Sequence, residues 1–280
     1  MTSSIAALLK RYPIAAFFTL TFIISWLPWY TGWFTGFFVF GPTLVGLIMT
    51  AVTDGRKGFR DLHQRMVRWR VGIGWWGIAL FLPALINLAG IGIHVLLGGD
   101  LPEFTFFRQE WYLAPLFFVA IMIIGGPMAE EFGWRGYALP KLQSKWSPLI
   151  ASLIIGTAWG IWHLPEFFRP GSSQYPLGIG FLPMFTVTEI ASSIWMTWLY
   201  NKTKGSLLLG GIIFHTALNF WSTTLLIETT ATGILGGEAF PPIDLMLFFL
   251  EGAVATLAAV ILIIVTKGRL GFAANDGRGE

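Results

Sequence analysis

Gly126-Pro127-Met128-Ala129-Glu130-Glu131-Phe132-Gly133-Trp134-Arg135 lies in the middle of a strongly apolar stretch. Two adjacent carboxylates and a guanidinium at that depth are costly in lipid, so each must face a partner or water inside a bundle of helices. Further apolar stretches repeat the anomaly, one carrying His163 and another carrying His215 and Asn219. Polar groups placed where leucine would have been cheaper outline a site.

Working outward, the 280-residue chain is 55% hydrophobic and only 12% charged, with a mean hydropathy of +0.67. Ordinary soluble domains carry about 25% charged residues, so this is the composition of an integral membrane protein. Apolar runs of about 20 residues, enough to cross a bilayer, recur along the whole sequence. The expected fold is therefore all-α: a polytopic membrane helix bundle of about eight spans at 13–33, 35–53, 72–98, 111–139, 148–168, 178–200, 206–227 and 244–266, in one domain over 1–280. The first run lacks a convincing small-residue cleavage site and is kept as a span. Zero cysteines exclude disulfides and thiolate chemistry.

The net charge of +3 is explained by membrane topology rather than by nucleic acid. With the N-terminus inside, the cytoplasmic segments collect nearly all Lys and Arg, from Lys10 and Arg11 through Arg56 to Arg70 and on to Lys267. The outer loops keep only Arg108 and Arg169. The positive-inside rule then places both termini in the cytoplasm. The segment 54–70, with Phe59, Leu62, Met66 and Trp69 at helical spacing among arginines, predicts a cytoplasmic amphipathic helix on the inner leaflet whose arginines meet anionic lipid. The final Asn275 to Glu280 reads as a frayed polar tail.

On the fourth span Glu131 and Arg135 are four residues apart and share a helical face. Glu130 points about 100° away from Glu131, so one arginine cannot serve both carboxylates equally. That leaves Glu130 to hold and release a proton as a general base. The same doublet also suits a purely structural ion cluster. Trp159 and His163 are four apart on the fifth span, where the indole can pack against the imidazole and orient it. His215 and Asn219 repeat the spacing on the seventh, presenting two hydrogen-bond donors to a developing oxyanion. Interhelical polar contact is the plainer use of that pair. Measured from the cytoplasmic ends, these groups lie about 13 to 22 Å deep. Gly125-Gly126-Pro127 and Leu164-Pro165 invite kinks that would let them share one wet pocket. His94, Asn87, Glu189 and Glu251 fall in or near spans as packing or cavity-lining groups. Glu189, between the motif-bearing helices, is positioned to hydrogen-bond a site histidine or to line a substrate channel, outside the catalytic set.

Taken in order, E-E-x-x-x-R at Glu130 to Arg135, W-x-x-x-H at Trp159 to His163 and H-x-x-x-N at His215 to Asn219 resemble the three motifs of the CPBP family. These are intramembrane proteases related to the type II CAAX prenyl endopeptidase, also called the Abi family. The resemblance covers about residues 110 to 225. Trp159 stands where the family usually has phenylalanine, which reads as a conservative aromatic change. The resemblance implies a peptide hydrolase in which Glu130 and His163 activate water while His215 and Asn219 stabilise the oxyanion, with Glu131, Arg135 and Trp159 in support. Members are commonly labelled metalloendopeptidases, and Glu130, His163 and His215 would be the zinc ligands. The absence of an H-E-x-x-H helix favours metal-free activation, with zinc as the alternative cofactor. The implied partners are membrane lipid and a peptide or protein substrate, lipidated or not. Two rival functions stay open on the sequence: a proton-coupled transporter, against which stands the lack of repeated halves, and a non-catalytic partner-binding protein of the bacteriocin-immunity type.

Overall fold

A computed structural model describes residues 2–32 and 37–272, and their regular structure is entirely helical. The polar tail from Asn275 lies outside the described residues. The chain opens with α1 (Thr2–Arg11) and α2 (Pro13–Tyr30), followed by α3 (Gly41–Thr53), α4 (Gly55–Met66) and α5 (Ile73–Leu96). A short α6 (Thr105–Gln109) leads to α7 (Ala114–Ile124), α8 (Pro127–Gly133), a π-helical turn at Trp134–Ala138 and α9 (Leu139–Gln143). Next come α10 (Pro148–Trp162), α11 (Leu182–Lys202), a second π-helical turn at Leu208–Ile213 running into α12 (Phe214–Leu226), α13 (Ala231–Leu235) and α14 (Leu245–Thr266).

The helix starts follow from local chemistry. Ser147 caps α10 by accepting from the Ile150 amide, with Pro148 at the first helical position. Asp244 caps α14 by accepting from the Met246 and Leu247 amides. Such ends matter because lipid offers no replacement hydrogen bonds.

The all-helical membrane bundle is as expected, but the count of eight spans is not confirmed. Five helical segments among the described residues are long and apolar enough to cross: Pro13–Tyr30, Ile73–Leu96, Pro148–Phe168, Ile179–Lys202 and Leu245–Thr266. The stretch expected as one span over 111–139 is a bent pair, Trp111–Ile124 and Pro127–Gln143, meeting at 46°, and counts as a sixth if taken together. Of the run expected at 35–53, residues 35 and 36 lie outside the described residues, and the rest contains the 13-residue α3, about 20 Å long against a hydrocarbon core of about 30 Å. The run at 206–227 is divided between the π turn and α12. The kinks expected at Gly125-Gly126-Pro127 and after His163 are both present, the second as a 3-10 turn over Leu164–Phe168.

The main core surrounds the Trp134–Ala138 turn. Trp134, Leu139, Trp159, Trp162, Met49 and Phe17 are all buried there, and Phe17 meets the Trp134 ring edge-on at 5.6 Å. On the opposite side α3 crosses α8 with backbones touching. A methyl added at Gly133 would lie 2.2 Å from the Pro42 carbonyl oxygen, and one at Gly46 would lie 2.8 Å from the Gly133 Cα. Only glycine permits this crossing.

The amphipathic segment forms α4, and Leu62 is its buried contact. One expectation for it is corrected. Arg65 reaches inward rather than to headgroups, donating to the Gly136 carbonyl at 2.8 Å and the Tyr200 hydroxyl at 3.1 Å while pairing with Asp61. Arg68 donates to the Lys204 carbonyl. These contacts pin α4 to the segment that follows the glutamates and to the C-terminal end of α11.

Candidate active site

Both glutamates sit on α8, immediately after the break. Gly126 takes φ +107°, a conformation that side chains rarely adopt, and a methyl there would stand 2.5 Å from Glu130 Oε1. The turn that stops α7 thus also makes room for the carboxylate. As expected from the helical geometry, the two carboxylates divide their partners. Glu131 Oε1 accepts from Arg135 Nη1 at 2.8 Å and from His215 Nδ1 at 2.9 Å, all within the protein interior. Glu130 has no cationic partner among the described residues. Its Oε2 accepts from the indole N–H groups of Trp159 at 2.6 Å and Trp134 at 3.3 Å.

His163 ends α10, where the helix tightens to 3-10. Its Nδ1 is 2.9 Å from the Trp159 carbonyl oxygen. A carbonyl only accepts, so Nδ1 carries the proton and the Nε2 lone pair is free in the neutral ring. By the same logic His215 donates from Nδ1 to Glu131 and keeps Nε2 available, as acceptor when neutral and as donor when protonated. Asn219 Nδ2 donates to the Gly125 carbonyl at 3.0 Å. This corrects the picture of a carboxamide free beside His215: one of its two N–H bonds satisfies the carbonyl exposed by the helix break, and the other remains.

These groups meet. Glu130, Trp159, His163, His215 and Asn219 all line one cavity of about 450 Å³ between the helices. Glu130 is 3% exposed, so it faces this cavity rather than the bundle's outside.

The part played by Trp159 is larger than its motif position implied. Its N–H holds Glu130, its carbonyl holds His163, its ring lies edge-on to His215 at 4.9 Å, and the Arg135 guanidinium sits 4.6 Å from its ring centroid. The exchange with phenylalanine is therefore not chemically neutral here. Trp159→Phe should keep the packing and lose a hydrogen bond to a carboxylate, a loss of about 1.5–3 kcal/mol. A melting temperature equal to that of the unaltered protein would contradict it.

Sequence reasoning missed Trp134 as the second donor to Glu130, although its i+4 spacing from Glu130 was the available signal. Nor did it single out Glu166, whose side chain is buried in the cavity wall and pairs with Arg169 at 3.1 Å. Glu189 does line the cavity, and so does Glu251. Among the described residues, no group of three or more His, Asp, Glu or Cys side chains is placed to hold a metal ion together.

Fold and site together define an integral, multi-pass membrane protein that carries carboxylate and imidazole side chains inside its helix bundle. Residues 112–221 match the family described as Type II CAAX prenyl endopeptidase Rce1-like. Over 243 residues, 80% of this chain and 89% of the relative, the sequence is 26% identical to CAAX prenyl protease 2 of Methanococcus maripaludis. The kinship read from the three motifs is borne out, and the matched region contains all of them. The chain is an intramembrane endopeptidase, similar in sequence to the type II CAAX prenyl endopeptidases.

Proposed function

We propose that the chain hydrolyses a peptide bond by metal-free activation of water in this cavity. One observation carries the reading: of two adjacent buried carboxylates, Glu131 is compensated by Arg135 and His215, whereas Glu130 receives only neutral N–H donors and keeps an oxygen over Gly126. Glu130 takes a proton from a water that His163 Nε2 also orients, and the water oxygen bonds to the carbonyl carbon. The Nε2–H of protonated His215 and the remaining Asn219 N–H bind the resulting oxyanion, and Glu131, with Arg135, balances the imidazolium charge and fixes its ring. Collapse breaks the C–N bond as Glu130 returns the proton to the leaving nitrogen.

The substrate is a peptide or protein segment entering from the membrane. Phe117, Ile121 and Ile124 on one wall and Phe181 and Phe185 on the other give it an apolar passage. The relative is named a CAAX prenyl protease, and a lipidated C-terminal segment suits such a passage. The distribution of Lys and Arg supports cytoplasmic termini.

The test is mass spectrometry of peptides incubated with purified protein in lipid vesicles, with metal analysis of the same sample. Defined cleavage products without stoichiometric zinc are expected. Zinc whose removal and return tracks activity would overturn the metal-free mechanism, and intact peptides throughout would overturn the hydrolase.

A further inference from the structure

The cavity holds a second pair of carboxylates that the hydrolytic scheme does not use. Glu189 comes from α11 and Glu251 from α14, and both line the cavity that contains Glu130. Glu251 is 8% exposed and makes no hydrogen bond or ion pair among the described residues. An unpaired buried carboxylate opposite another is an expensive arrangement in a membrane interior. It is also rigidly built. A methyl at Gly90 of α5 would lie 3.0 Å from the Glu251 Cα, and one at Gly252 would lie 2.4 Å from Thr188 Oγ1 of α11, so α14 is pressed between these helices at this level.

No Lys or Arg makes an ion pair with either carboxylate among the described residues. Arg135, engaged by Glu131, acts on Glu189 through its field without contact, and Arg169 is engaged by Glu166. The nearby polar groups, Ser192, Ser222 and Thr223, are neutral hydroxyls. Nor does a third His, Asp, Glu or Cys side chain among the described residues join the pair to hold a metal ion. An ammonium or guanidinium arriving with a ligand would supply the missing charge and donate to both carboxylates and the hydroxyls around them.

We infer that Glu189 and Glu251 form a subsite for a basic side chain, lysine or arginine, of the peptide substrate. The inference rests on the peptidase reading above and adds a charge preference to it. Residues Glu130 and His163 would act on a bond at a fixed distance from that side chain, so the acidic pair sets where the peptide is cut.

The experiment measures binding and cleavage separately. Binding of hydrophobic peptides in which one lysine is moved through successive positions, each paired with a norleucine version, is read on full-length Glu130→Gln in vesicles, where hydrolysis is slowed by at least about 10²-fold. At one position lysine should bind at least about tenfold tighter than norleucine, and Glu251→Gln or Glu189→Gln introduced into that protein should remove the advantage. Equal binding of both versions at every position overturns the subsite, as does a preference unchanged in both variants. The lysine and norleucine comparison on the parent protein decides the matter even where a variant fails to fold. Cleavage by the unaltered chain with no preference for lysine overturns the subsite alone. A lysine preference in binding without any cleavage overturns the peptidase and leaves a cation-binding cavity.

Discussion

Replacing Glu130 by glutamine should lower peptide hydrolysis by about 10²–10⁴-fold, the contribution of a positioned general base, while leaving the fold intact. The amide oxygen can still accept from Trp159 and Trp134, and the new NH2 group occupies the space over Gly126 that the second carboxylate oxygen fills now. What disappears is the ability to take a proton from water. Rates with a fluorogenic peptide, beside a melting curve for each protein, check the expectation. A Glu130→Gln protein that melts normally and retains more than about a tenth of the rate would remove this residue from the chemistry.

Arg135→Met should be the most destabilising change at the site. Arg135 and Glu131 are both fully buried, and methionine fills much of the arginine volume without its charge. Removing one partner of a buried pair leaves an uncompensated charge, at a cost of about 3–5 kcal/mol. Loss of the guanidinium from the face of Trp159 adds to this. The double variant Glu131→Gln with Arg135→Met should recover much of the stability, because the orphaned charge is then gone and the glutamine can still accept from His215. Melting temperatures of the two single variants and the double complete the cycle. Arg135→Met as stable as the original would mean that the pair contributes nothing.

Much of this site was legible because membrane depth makes polar residues conspicuous. Glu130, Glu131, Arg135, His163, His215 and Asn219 stand out against their apolar surroundings, and helical spacing alone assigned Arg135 to Glu131 rather than to Glu130. The number of spans was less legible. Hydropathy sees α3 and the broken α7 and α8 pair as continuous runs, whereas the glycines and prolines within and around them divide and shorten the helices. The second role of Trp159 was hidden for a different reason: its indole reaches Glu130 from another helix, 29 residues away in sequence, and no spacing rule connects them. The π turns at Trp134–Ala138 and Leu208–Ile213 were hidden too, since they are set by packing rather than composition. Each adjoins a site residue, and together they bring His215 against Glu131.

The glycine crossing of α3 over α8 has a mechanical consequence. Where Gly46 and Gly133 bring main chain against main chain, no side chain is left to yield, so the wall bearing Glu130 is an anvil that can neither tilt nor turn. The facing wall is made differently, from three brief 3-10 turns between Leu164 and Phe181 that supply Glu166 and Leu177, with Arg169 following the first. Admission of a bulky guest and discharge of its fragments must therefore be accommodated by that second wall, with the carboxylate side serving as the fixed jaw.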